Sequence, residues 1–321
     1  MKRLAFFLTV LACCLLLVGC NGTYLRESEP QNVYIDHIDT TWSPDVEYSQ
    51  NVAAVRGATV VSIISNFVVY TGMGNRTAQQ ILSGVIINEQ GYILTSSQSA
   101  ELTLESGTCK RLSVYAVLPE IYNMERQFKL SLVDYDNDAG LALFKFYDDF
   151  FHYVDEEKSE AVSGFQIYAE FSGQKAITGE RCVTIGNSLG NTLSNGAIDL
   201  NDVELTVMNG IISAASADAA VLEPVLLNGN SYNYILTSSP VNFDMYGGGL
   251  FDENGYLLGT LAFKIGYQAS SGTGESGYFA RVSAAYPIKL IVDYIDSAAI
   301  RVHAAIPYTL ALPDAAMEEA A

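Results

Sequence analysis

Histidine, cysteine and serine decide most of the covalent chemistry open to a chain. This one has three histidines, His37, His152 and His303, and five cysteines among its 321 residues. A zinc site draws its His, Cys and carboxylate ligands from short, recognisable spacings. Neither a CxxC nor an HExxH is present, so no metal and no cofactor is expected. Ser96, Ser97, Ser99, Ser238 and Ser239 stand beside apolar runs that read as strands. A serine hydroxyl becomes a nucleophile only beside a base that takes its proton. None of the five has a histidine near it in sequence. His152 could reach one only through the tertiary fold, and a surface loop is its simpler setting. A Ser–Lys pair with Lys145 or Lys264 is conceivable, but no spacing supports it. The acids Asp148-Asp149 and Asp155-Glu156-Glu157 read as a solvated loop face.

Cys20 has a different chemistry. Met1-Lys2-Arg3 is followed by an apolar run from Leu4 to Val18, the charged and hydrophobic parts of a secretory signal. The run falls short of the ~20 residues that span a bilayer as a helix. Leu17-Val18-Gly19-Cys20 then resembles the lipobox of bacterial lipoproteins, in which the cysteine is lipidated and becomes the mature N-terminus. The competing reading is a plain signal with an incidental cysteine. The lipobox implies residues 1–19 as a lipoprotein signal peptide and a domain anchored through the lipid on Cys20. Its expected location is the outer face of the cytoplasmic membrane, or the outer membrane where there is one.

Two of the 17 Lys and Arg lie in the signal, which has no acids; 15 bases then face 36 acids, a net of −21 for the mature chain. Such a chain repels polyphosphate, so nucleic acid is excluded as a partner. It also repels an anionic bilayer, which holds the domain off the surface despite its anchor. Cys109 and Cys182 remain after the signal. Export permits a disulfide between them, and a lone buried thiol at Cys182 is equally natural.

Residues 20–50 read as the lipidated cysteine and a polar spacer, with Pro30 and Pro44 and no apolar period. From about Val52 to Ala284 the pattern is short β-rich segments broken by Gly, Asn and Asp. Ser83–Ile87 and Tyr92–Thr95, joined by Asn88-Glu-Gln-Gly91, predict a hairpin. Leu130–Asp134, Leu141–Phe146, Cys182–Gly186, Gly210–Ala214, Tyr234–Thr237 and Tyr256–Phe263 predict further strands, the last after a turn at Asp252–Gly255. Many short strands mean a barrel or a sandwich. One helix is predicted over 286–298, with Ile288, Ile291, Val292 and Ile295 on one face. Arg301–Ala321 is expected to be loose.

Six of these segments, in order, are similar to motifs of the Deg/HtrA-type trypsin-like serine proteases. Ser83-Gly-Val-Ile-Ile with Gly91-Tyr-Ile-Leu-Thr95 resembles S-G-V-I-I…G-Y-I-L-T-N-N-H-V-V. Leu141-Ala-Leu-Phe-Lys-Phe resembles D-L-A-V-L-K-V, and Gly179–Gly190 resembles G-D-x-V-x-A-I-G-N-P-L-G. Asn209–Ala214 is similar to T-x-G-I-V-S-A. Asn242–Leu250 with Glu253–Gly259 is similar to N-P-G-N-S-G-G-P-L…x-N-G-x-V-I-G. Gly277–Ala280 and the helix after it match the family's closing element. The resemblance covers about residues 55–300. It implies an all-β fold of two packed six-stranded Greek-key β-barrels, chymotrypsin/trypsin-like, with a C-terminal helix and a cleft between the barrels. The barrels would take residues 51–155 and, with the closing helix, 156–300, leaving 301–321 as a tail too short for the PDZ domain that the family often adds.

The family's chemistry needs a hydroxyl, an imidazole and an orienting carboxylate. By the resemblance, the histidine position holds Gln98, whose amide cannot accept and return a proton near neutral pH. The aspartate position holds Gly140, with Asp138 two residues upstream. The serine position holds Tyr246, whose phenol has an ordinary pKa near ~10. The glycine that donates an N–H to the oxyanion is replaced by Asp244, a carboxylate where negative charge must develop. No residue is therefore expected to be catalytic, and the chain reads as a pseudoprotease. Protease folds of this type pair substrate as an added strand, which needs only backbone and pockets. The matching segment is Thr260, Leu261, Ala262 and Phe263. The expectation is a tethered module that binds a protein or extended peptide. The alternatives are a serine endopeptidase with a displaced nucleophile and a purely structural envelope lipoprotein whose cleft Tyr246 plugs.

Overall fold

The computed structural model describes residues 33–35, 47–71, 74–102, 108–119, 127–147, 151–155, 160–188, 204–217, 222–270 and 276–311. Cys20 and the rest of the signal, the paired acids Asp148-Asp149 and Glu156-Glu157, and His37 lie outside them.

A short strand β1 (Val33–Ile35) and helix α1 (Tyr48–Arg56) come first. The first barrel is built from β2 (Val60–Thr71), β3 (Gly74–Ile86), β4 (Tyr92–Ser96), β5 (Thr108–Val117), β6 (Gln127–Asp136) and β7 (Leu141–Phe146). They close in the order β2-β3-β4-β7-β6-β5. Residues 60–65 of β2 are buried on both faces, and only beyond them does burial alternate, with Phe67 and Val69 inside and Tyr70 exposed. The expected hairpin forms as β3 and β4, with Asn88 Oδ1 accepting the Tyr92 N–H at 3.2 Å across the turn.

A hairpin of β8 (Phe151–Asp155) and β9 (Glu160–Ser163) leads through β10 (Phe171–Ser172) to the second barrel. Its strands are β11 (Arg181–Ser188), β12 (Glu204–Ala214), β15 (Ile235–Thr237), β16 (Gly249–Asp252), β17 (Leu257–Ser270) and β18 (Ser276–Pro287). They run β16-β11-β12-β15-β18-β17 and close through the β16–β17 pairing. A small hairpin, β13 (Val225–Leu227) and β14 (Asn230–Tyr232), sits outside. The fold is thus the expected pair of six-stranded barrels with a C-terminal helix.

Each end of the described chain clasps the barrel made by the other half. In α1, Arg56 donates to Gly255 O at 2.7 Å and Tyr168 O at 3.1 Å, and pairs with Glu170 at 2.8 Å. The helix begins at Tyr48, so the last residues given to the spacer already belong to the fold. Helix α2 (Ile288–Val302) starts after Pro287, two residues later than expected, and runs four further. Its Leu290, Ile291, Tyr294, Ile295 and Ala298 are buried, the i, i+3/i+4 stripe of a packed helix. Tyr294 donates to Asp134 O in β6 at 3.1 Å, and Arg301 forms a two-pronged pair with the Asp134 carboxylate. The tail is not loose where it is described. Asn88 Nδ2 donates to Pro307 O at 2.7 Å, Tyr308 stacks on Phe171 at 5.5 Å, and β19 (Leu310–Ala311) pairs with β10. Composition suggested a frayed end because the apolar contacts that hold it come from distant segments.

The turn after β16 holds an unusual carboxylate. Asp252 is 6% exposed, and its Oδ1 accepts the N–H groups of Asn254 and Tyr256, each at 2.9 Å. Burial raises its pKa to about 6, with Glu180 adding to the rise and those two N–H groups and Arg56 opposing it. The unfolded value is lower, near ~3.9. The folded state therefore binds a proton more readily across that window, and stability falls as pH rises from ~4 to about 6. Asp252→Asn should remove this slope and gain roughly 1–3 kcal/mol at pH 7. Urea midpoints of the two proteins between pH 4 and 7 measure it; curves that stay parallel would show an unperturbed carboxylate.

Candidate functional site between three loops

At its end β4 enters a 3-10 turn, Ser97–Ser99, in which Ser96 Oγ accepts the Gln98 N–H at 3.4 Å. Gln98 is exposed. Ser97 N–H donates to Gly140 O at 3.0 Å, which joins this turn to the one between β6 and β7. Gly247 closes the group from the second barrel. Its φ is +86°, and a Cβ there would fall 2.3 Å from Ser83 O and 2.8 Å from Ser96 N. Only glycine fits so near another backbone. The structure thus brings the segments of Gln98, Gly140 and Tyr246 together, as their resemblance to one site requires.

The loop that presents Tyr246 is wound tight. Phe243–Met245 is a 3-10 turn, and the Tyr246 N–H donates inward to Phe243 O at 3.1 Å. In a serine protease the nucleophile's own N–H is one of the two oxyanion donors. Here that donor is spent within the loop. Ser83 fixes the loop from the first barrel: its N–H donates to Tyr246 O at 2.9 Å, and its Oγ donates to Asp244 O at 2.8 Å while accepting Asn187 N–H at 2.9 Å. The Tyr246 ring is 8% exposed and packs edge-on against Phe243 at 5.2 Å. Phe243 itself is 41% exposed.

Gly140 also has left-handed backbone, with φ +73°. A Cβ at this position would lie 1.9 Å from the Tyr286 hydroxyl and 2.6 Å from its Cζ. The space beside Gly140 is therefore filled by a phenol from β18, and burial pushes the Tyr286 pKa well above its usual value. Tyr286 packs with Tyr234 at 5.5 Å, and Tyr234 meets Phe263 edge-on at 5.1 Å. Asp138 is exposed on the turn before Gly140. Sequence reading had no means of finding Tyr286: its ring arrives from the far half of the chain, and nothing local marks it.

The other candidates are dispersed. Ser99 is fully buried with its Oγ 3.3 Å from Thr95 Oγ1. Ser238 Oγ accepts the Ile211 N–H at 3.0 Å, and Ser239 is buried beneath Gly210. Lys145 holds its ammonium over the Tyr92 ring, 5.4 Å from the centroid. The side chain of Lys264 is outside the described ones. His152 lies in β8 opposite Ser163, not in a loop. Its hairpin joins Phe151 O to Gly164 N–H, and Phe165 N–H to Glu89 O, at the β3–β4 turn. Ser96 and Ser97 are at the other end of β4, roughly 15 Å along a strand that rises ~3.3 Å per residue. Cys109 and Cys182 are both free thiols.

The predicted peptide strand divides in two. Thr260 pairs with Tyr286 on one edge and Gly249 on the other, and Leu261 exchanges bonds of 2.8 and 2.7 Å with Gly248 and Gly247. Both edges are taken at these residues. From Ala262 onward the strand that pairs with β17, among the described residues, is β18 alone. At Ala262 and Phe263 the second edge of β17 therefore has no described strand on it.

Two barrels meeting at loops that come together around Gln98, Gly140 and Tyr246 define a trypsin-like peptidase architecture. The trypsin-like peptidase domain matches residues 82–259, more than half of the chain, and the chain belongs to that family. No curated protein matches it. Among solved structures it is similar to the HtrA-type protease AlgW with a decapeptide, at 22% identity and TM-score 0.53, covering 80% of this chain and 69% of that one. A serine-to-alanine form of AlgW, also with a decapeptide, aligns at 20% identity and TM-score 0.54, covering 80% and 67%. These likenesses bear on the fold.

Proposed function

We propose that this chain is an exported lipoprotein, held to a bacterial membrane through a lipid on Cys20, whose trypsin-like peptidase domain no longer hydrolyses peptides and instead binds a protein or an extended peptide. One observation carries the loss of chemistry. The carboxylate that would orient a catalytic imidazole has no room, because Gly140 faces the Tyr286 hydroxyl where its Cβ would be. The rest agrees with this. Gln98 stands where an imidazole would be needed, and the loop of Asp244 and Tyr246 turns an oxyanion donor inward. Peptide binding is supported by the edge at Ala262 and Phe263, and by the decapeptide held by AlgW on the same fold. A structural lipoprotein with a closed cleft is the second reading, favoured by the burial of Tyr246 against Phe243.

Cells expressing the chain and fed an alkyne-tagged palmitate test both halves at once. The purified protein is then incubated with a serine-reactive fluorophosphonate and read by mass spectrometry. The expected result is a lipid on Cys20 and no labelled serine. Stoichiometric labelling of one serine would establish a displaced nucleophile and end the pseudoprotease reading. A protein that keeps its first 19 residues and takes no lipid would end the lipoprotein reading.

A further inference from the structure

Beside Gln98 the first barrel keeps a polar atom that none of the described residues satisfies. Gln80 of β3 is 6% exposed, and its Nε2 donates to Gln98 Oε1 at 3.3 Å. Its own Oε1 is buried with no hydrogen-bond partner. Burying an amide oxygen without a donor costs on the order of a whole hydrogen bond, so native folds seldom keep one without a use. Gln80 does not face a sealed core. Its amide ends against Gln98, which is exposed, and Leu82, on the same face of β3, packs in the cluster that contains Tyr246. The register of β3 adds a second feature. β4 pairs with it from Gly84 onward and the Tyr246 loop bonds it at Ser83. From Leu82 back to Gly74 the described partner strand is β2, on the other edge.

We propose that the Gln80–Gln98 amide pair recognises the side-chain carboxamide of an Asn or Gln in a peptide that lies along this edge of β3; the inference rests on the peptide-binding reading above. The pair offers an acceptor in Gln80 Oε1 and, on the exposed Gln98, the N–H donors of Nε2. A primary carboxamide carries one oxygen and one N–H side by side on its syn edge, and it answers both. A trans peptide group carries them on opposite edges, so backbone alone cannot. A carboxylate has only acceptors and would set one against the acceptor Gln80 Oε1, in a chain already strongly acidic. An alkyl side chain would leave the orphan oxygen as it is. Gln98 thereby keeps a role at a position from which it cannot transfer protons.

The test uses the full chain in detergent and a fluorescent decapeptide library in which one position is fixed in turn as Asn, Asp, Leu, Gln, Glu or Met. Binding is read by fluorescence polarisation and melting by calorimetry. Peptides fixed as Asn or Gln should bind about tenfold tighter than their carboxylate or alkyl counterparts. Gln80→Met, close in shape and without the amide, should erase that preference and keep the weaker binding, with a cooperative melting transition that shows it folded. A preference for Asn or Gln that survives Gln80→Met, or peptides bound without any such preference, would overturn the inference while leaving the peptide-binding module standing. Absence of binding by every peptide would end the peptide-binding reading, and this inference with it.

Discussion

Gly140→Ala is expected to cost about 3 kcal/mol or more, a large penalty for adding one methyl to a partly exposed turn. Left-handed backbone costs an L-residue roughly 1–2 kcal/mol, and forcing an atom into filled space adds ~1–3 kcal/mol. The second contribution comes from Tyr286, whose hydroxyl and Cζ occupy the Cβ position. Removing the hydroxyl alone gives no relief, because Cζ stays 2.6 Å away. In a Tyr286→Leu background the cost of Gly140→Ala should fall to the backbone share, about 1–2 kcal/mol. Urea unfolding of the four proteins in this double-mutant cycle measures the coupling. An equal cost in both backgrounds would mean that Tyr286 yields, and that an aspartate could return there. The same geometry bears on attempts to revive catalysis. The variant combining Tyr246→Ser, Gln98→His and Gly140→Asp should remain without hydrolysis of a fluorogenic peptide. Its aspartate has nowhere to go, and the Tyr246 N–H still points at Phe243 O.

Tyr294→Ala should destabilise the protein by about 4 kcal/mol, the range found for deleting a large buried aromatic. Tyr294 is fully buried on α2 and belongs to the core cluster that joins the helix to both barrels: Leu141 and Leu143 come from the first, Val183 and Phe251 from the second. Its hydroxyl reaches Asp134 O at 3.1 Å, and burial drives its pKa far above the usual phenol value. Tyr294→Phe keeps the ring and should cost only about 1 kcal/mol. Arg301→Ala removes the half-exposed pair to Asp134 and should cost about 1 kcal/mol or less. Chemical denaturation of the three variants gives the order. A Tyr294→Ala cost near that of Arg301→Ala would mean that the clasp is electrostatic and that the helix packs loosely.

On the proposed reading, loss of catalysis at this site would involve more than three substitutions. A protease that loses its serine alone keeps the frame of its site. Here the space beside Gly140 is filled by an aromatic ring from β18, and the loop of Asp244 and Tyr246 is tied by Ser83 into a turn that points the Tyr246 N–H inward. The peptide strand is affected as well. Part of the expected segment, Thr260 and Leu261, is consumed by pairing within the barrel, which leaves Ala262 and Phe263. A ligand of the remaining edge would meet the exposed Phe243 and the aromatic group of Tyr234, Phe263 and Tyr286, rather than a reactive hydroxyl.

The sequence by itself determined the short strands and the closing helix, and its resemblance to the Deg/HtrA-type proteases implied that the strands close into two barrels. Short β-branched and apolar runs bounded by turn residues, as in Tyr92–Ser96, read as strands, and the stripe of α2 reads as a helix. The sequence also carries the identities of Gln98, Gly140 and Tyr246, which the resemblance sets against a protease's histidine, aspartate and serine. Where His152 lies, that Leu261 is already paired, that residues 301–311 dock, and that Tyr286 fills the space beside Gly140 were decided only by the tertiary structure. The reason is range. Periodicity and turn chemistry act over a few residues, whereas these contacts join segments far apart in the chain and depend on how two closed barrels set their loops against each other.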